Sequence, residues 1–178
     1  LNEGFTSYFE NRIMEAIYGP RRAAQEAARS FTEIENALKE LGATAPGTRL
    51  HNPDEGEDGG SSGIVYDKGA AFLRTIEQTV GRERFDAYLR SYFDRHAFQP
   101  MTSARFLADL RANLIKGDQA LEQRLKLDQW VYQPGLPDNV ARPDPQAFAH
   151  VDEAVRAFNA GGAAGAVPYA SWNTAERL

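Results

Sequence analysis

The chain has 178 residues, 42% of them apolar, and a formal net charge of -5; this suffices for one buried core with a small appended piece and offers no basic footprint for nucleic acid. The absence of cysteine excludes a disulfide framework and any thiolate metal site, while leaving the compartment open, because such a chain suits oxidising and reducing surroundings alike. No apolar run reaches the length of a membrane span, and the start at Leu1-Asn2-Glu3 carries neither an initiator methionine nor a signal peptide, so it reads as a fragment boundary.

The first predicted helix opens on Leu1-Asn2-Glu3-Gly4-Phe5-Thr6. On a wheel of about 100° per residue, Glu3 and Glu10 fall on one face, flanked by Thr6, Ile13, Met14 and Ile17. An ionised carboxylate in partly apolar surroundings costs several kcal/mol unless a metal, a cation or hydrogen-bond donors compensate it. Glutamates at the helix rim that reach water need no such partner. Pro20 suits the first turn of a second helix, in which Ala24, Ala27, Phe31, Ile34, Leu38 and Leu41 recur at spacings of three and four, and Gly42 is a natural stop.

Between Gly42 and Gly63 the pattern breaks into Gly, Pro and acid, including Asn52, Asp54, Glu55, Glu57 and Asp58. A loop this long inside a helical domain is functional or disordered. It is not an EF-hand calcium loop, because the third position would be Gly56 and the closing acid Val65. A solvated loop accounts for most of these charges.

Helical periods then resume. Tyr66, Ala70, Leu73, Ile76 and Val80 share one side of a helix over 66–80 that Gly81 ends, and Phe85, Leu89, Tyr92 and Phe93 mark the next, which stops near Phe98. Thr102 or Ser103 caps a helix carrying Phe106, Leu107 and Leu110. Another helix is predicted over 119–131, and after Pro134-Gly135-Leu136-Pro137 a last full helix over 146–160. Asn173 and Glu176 have capping-box spacing, so one more helix starts at the very end. The fold class is all-α, with about six to seven helices and one long Gly/Asp-rich loop. None of His51, His96 and His150 has the i, i+4 partner that puts two imidazoles on one helix face. His96 reads as an interhelical polar group near a helix end.

Four of these segments, in this order, resemble gluzincin zinc metallopeptidases of the aminopeptidase N and leukotriene hydrolase family, with the bacterial leukotriene hydrolase-like aminopeptidases nearest in character. The stretch L-N-E-G-F-T-S-Y-F-E resembles the helix that brings the family's third zinc ligand. The resemblance makes Glu3 the metal ligand and Glu10 the outer carboxylate that orients a ligating histidine. Ile64-Val65-Tyr66-Asp67-Lys68-Gly69 resembles the Y-E-K-G motif, with Asp67 in place of Glu. Tyr66 is then the donor to the oxyanion of the tetrahedral intermediate, whereas on its own it reads as the first core residue of its helix. Arg90 to Phe98 with Met101-Thr102, and Trp130-Val131-Tyr132-Gln133-Pro134-Gly135-Leu136-Pro137, resemble fold markers without chemistry.

The resemblance implies the helical lobe of a thermolysin-like catalytic domain over 1–137, a linker and connecting helix over 138–165, and the start of a truncated helical domain over 166–178. It also implies a full-length zinc aminopeptidase that acts on peptides. The H-E-x-x-H helix that holds the other two ligands and the general base is absent from this sequence. The chain alone is therefore expected to be inactive and to hold no zinc stably, its missing partner being the N-terminal part of the same enzyme. The alternative is a non-catalytic helical interaction module or a metal-free relative of the same fold. Epoxide hydrolysis, with Asp58 as a substrate-side acid, is a weaker third reading.

Overall fold

The computed structural model describes residues 1–51 and 63–177, and the described residues contain helices and turns but no strand. Helix α1, Asn2–Tyr18, ends at Gly19, whose N–H closes on Glu15 O at 2.9 Å. Helix α2, Pro20–Leu41, starts on the expected proline and stops at Gly42. Its predicted seam is buried at Ala27, Phe31 and Ile34, while Leu41 at the end is exposed. A short turn, Pro46–Thr48, leads to Leu50 and His51.

Helix α3, Ile64–Val80, was expected to bury one side. It instead buries Lys68 through Leu73 without a break, then Thr75, Ile76 and Glu77, as a helix packed on nearly all sides does. Helix α4, Arg82–His96, follows Gly81. Helix α5, Ser103–Leu110, is capped by Thr102, whose hydroxyl accepts from Arg105 N–H at 3.2 Å. It runs on into a π-helical stretch, Arg111–Ile115.

The single helix expected over 119–131 is two. Helix α6, Gln119–Leu125, is capped by Asp118, and α7, Leu127–Tyr132, follows a break where Lys126 adopts a left-handed conformation (φ 50°). Helix α8, Ala149–Asn159, and the short α9, Thr174–Arg177, complete the set. The all-α expectation holds. The break at Lys126 and the short α9 carry the number of helices among the described residues to nine.

The chain divides into two compact units. The first, Leu1–Glu10 with Phe31–Ala141, is built on α3, whose Phe72, Leu73 and Ile76 are fully buried beside Phe85, Leu110 and Trp130. Glu77 pairs across helices: Tyr8 on α1 donates to its carboxylate on α3 at 2.5 Å, and Arg82 Nε on α4 donates to the same group at 2.7 Å. The second unit, Asn11–Ser30 with Arg142–Leu178, is centred on Glu176. Its carboxylate accepts from Gln25 Nε2 at 2.8 Å and from Asn173 N–H at 2.8 Å, and Asn173 Oδ1 accepts from Glu176 N–H at 3.2 Å, which is the capping box read from the sequence. Burial pushes the Glu176 carboxyl upward, but donors from Gln25, Asn173 and Arg21 outweigh it and hold the group down to about 2.

Candidate active site

Within the first unit the opening turn of α1 meets the second turn of α3 backbone to backbone. A Cβ built on Gly4 would lie 2.5 Å from Gly69 Cα, and one built on Gly69 would lie 2.6 Å from Gly4 Cα. No side chain fits between them. Glycine inside a helix costs up to about 1 kcal/mol relative to alanine, so two helical glycines in contact are retained for the approach they allow.

That approach brings Glu3 and Tyr66 together. The Glu3 carboxylate acts on the Tyr66 phenol through hydrogen bonding first and its charge second, with a small loss of solvation, and these raise the phenol above its ordinary value. Tyr66 is 43% exposed, so it is not the first core residue of α3. The pair therefore presents at the surface a phenol that keeps its proton beside an acceptor that can bind a cation.

Glu3 also lines a groove of about 680 Å³ with Asn2, Phe5, His51, Tyr92, His96 and Thr102 among its walls. Phe5 stacks on Tyr92 with ring centres 6.2 Å apart and meets Phe106 edge-on at 5.3 Å. His96 is interhelical, as expected: its Nε2 lies 2.8 Å from Asp109 Oδ2, joining α4 to α5. Burial pushes the Asp109 carboxyl up, but hydrogen bonds from Arg95, His96 and Tyr88 hold it below the usual carboxylate range. His51 packs edge-on against Tyr132. His150 belongs to the second unit, where it lies 2.9 Å from Glu176.

Glu10 is exposed and stands two turns, about 10 Å, along α1 from Glu3, so the Glu3–Tyr66 contact does not include it. The apolar residues predicted to penalise that face are open to solvent, with Ile13 57% and Ile17 64% exposed. Asp58 and the other acidic positions of the rejected calcium loop fall outside the described residues. Among the described residues, no three His, Asp or Glu side chains gather to hold a metal ion. Glu3 thus fits zinc as one oxygen donor of a set that needs two more ligands.

Three further residues at this site carried no assigned role in the sequence. Gly4 and Gly69 sit inside the two motifs, and their signal was a glycine in each helix interior. Lys68 is wholly buried, and its ammonium donates to Thr48 O at 2.8 Å and Gln133 O at 3.0 Å. Burial pushes it down to about 8.

Residues 1–130 match the model of the Peptidase family M1 domain. The chain belongs to peptidase family M1. This M1 domain is 30% identical over 162 residues to leucine aminopeptidase 2 of Lodderomyces elongisporus, an alignment that covers 77% of the chain and 25% of the relative. It is 33% identical over 142 residues to leucine aminopeptidase 2 of Emericella nidulans, covering 77% and 23%. The M1 domain therefore spans about a quarter of the length of these curated relatives. Its fold is that of the corresponding part of yeast LTA4 hydrolase, solved in complex with bestatin: the TM-score is 0.78 at 23% identity, over 98% of this chain and 30% of that one. The family match bears out the resemblance drawn from the four motifs. Aminopeptidases of family M1 are in general zinc metallopeptidases.

Proposed function

We propose that the full-length protein is a zinc-dependent aminopeptidase acting on peptides, to which this chain contributes one zinc ligand, Glu3, and one oxyanion donor, Tyr66. The observation that carries this reading is the crossing at which the two helix backbones touch, where the Glu3 carboxylate acts on the Tyr66 phenol. The leucine aminopeptidases similar to this chain support the reaction class. Two histidines and a general base from an H-E-x-x-H helix outside this sequence complete the site in this reading, and Glu10 orients one of those histidines.

Bound zinc supplies a Lewis acid for the scissile carbonyl and lowers the pKa of water. What this chain does follows from its own groups. The Glu3 carboxylate would hold the cation, and the Tyr66 phenol is the neighbour on which that carboxylate acts. A phenol's ordinary value keeps Tyr66 protonated at neutral pH, so it donates a hydrogen bond to the carbonyl oxygen as negative charge grows there. Being half exposed, it can reach substrate without rearrangement of the core.

In the full-length protein Glu3→Gln is expected to lose zinc, measured by metal analysis after dialysis. Tyr66→Phe is expected to keep zinc and lower kcat on an aminoacyl anilide by about two to three orders of magnitude. Undiminished zinc in the first variant assigns the ligand elsewhere, and an undiminished rate in the second removes Tyr66 from catalysis.

A further inference from the structure

We propose that Lys68 is a positioning residue for Tyr66, fixing the first turn of α3 through its two buried hydrogen bonds to the backbones of Thr48 and Gln133. This rests on the assignment of Tyr66 to catalysis made above. Tyr66 is 43% exposed, so the core does not enclose its ring, and its place depends on the backbone that carries it. Two residues on, Lys68 is wholly buried. Burying an ammonium is expensive, and an apolar side chain of the same length would fill that space at lower cost. Stability therefore does not explain the lysine.

Direction does. The ammonium holds two segments at once, the Pro46–Thr48 turn at 2.8 Å and the residue before the Pro134-Gly135-Leu136-Pro137 turn at 3.0 Å. Those segments are also tied to each other: Thr48 Oγ1 accepts from Gly135 N–H at 2.9 Å and donates to Ala45 O at 2.7 Å, and His51 N–H donates to Val131 O at 3.0 Å. Gly69, the next residue of α3, rests on Gly4. The turn that carries Tyr66 is thus held by Lys68 and by the glycine contact, and neither restraint uses the tyrosine itself. The P-G-L-P segment, a fold marker in the sequence, becomes an anchor for the active-site helix.

The test is a double-mutant cycle in the zinc-loaded full-length enzyme, with an aminoacyl anilide as substrate. Lys68→Met keeps the stem and deletes both donors. It is expected to lower kcat by about tenfold to a hundredfold, with KM within about threefold and zinc content equal to that of the parent. Introduced into the Tyr66→Phe enzyme, the same substitution is expected to slow turnover by no more than about twofold, because the group it positions is already gone. A zinc-loaded Lys68→Met enzyme at full kcat overturns the inference, as does an equal loss on both backgrounds. Should Lys68→Met not fold, Thr48→Val loosens the same clamp through Gly135 while sparing Lys68, and it is read by the same cycle with the same outcomes. Full activity in Tyr66→Phe defeats the catalytic assignment itself; a slow Tyr66→Phe with a fast Lys68→Met defeats the positioning role alone.

Discussion

Lys68 carries its charge into the interior against two carbonyl oxygens rather than a carboxylate. Two hydrogen bonds do not offset the lost solvation, which is why burial takes the group from 10.5 to about 8. A lysine lowered in this way binds fewer protons folded than unfolded between those two values. Its penalty is therefore complete below the folded pKa and is relieved as pH rises toward the unfolded one, by about 3 kcal/mol in all. Urea unfolding of the parent chain and Lys68→Met should show the parent gaining on the variant as pH rises through that window. A pH-independent difference between them would mean that the lysine is not desolvated. At this scale the sequence was informative where side-chain type is itself the chemistry, as in Glu3 and Tyr66. It was silent about Lys68, because a lysine near the start of a helix looks solvent-facing until the segments that cover it are known.

Helix α1 and helix α3 are held at backbone contact by one glycine on each. Replacing a helical glycine with alanine normally gains up to about 1 kcal/mol, and at Gly47, where an added Cβ meets nothing within 4 Å, the change should stay within about 0.5 kcal/mol. At Gly4 and Gly69 the added carbon meets backbone at 2.5 to 2.6 Å, which no rotamer change can relieve. Overpacking of this kind costs about 1–3 kcal/mol or more, so it outweighs the propensity gain and reverses the sign. Gly4→Ala and Gly69→Ala should each lower the urea midpoint at unchanged slope, while Gly47→Ala should not; a stabilised Gly69→Ala would show that the helices do not touch there.

Helix existence and type were largely legible in the apolar periods, and the Thr102 cap was too. The break at Lys126 and the π-helical stretch were not. Lysine has no preference for a left-handed conformation, and the apolar residues on either side of the break all point to the same core.

Among the described residues no three His, Asp or Glu side chains gather to hold a metal ion, and the chain spans about a quarter of its relatives' length. One carboxylate cannot hold zinc against water. The isolated chain should therefore be strongly helical by circular dichroism, bind no stoichiometric zinc in equilibrium dialysis, and cleave no aminoacyl anilide. Tight one-to-one zinc binding by the isolated chain would place a second and third ligand within it and revise the site.

By itself the sequence determined the all-α class, the family, and the two residue types on which the proposed chemistry depends, because helical period and motif order are local properties of a chain. Only the tertiary structure decided that Glu3 and Tyr66 meet, that Gly4 and Gly69 are the reason they can, and that Lys68 ties the tyrosine's helix to two distant turns. Contacts between residues 20 to 65 positions apart depend on how helices cross, and a crossing is set by packing that no local pattern records.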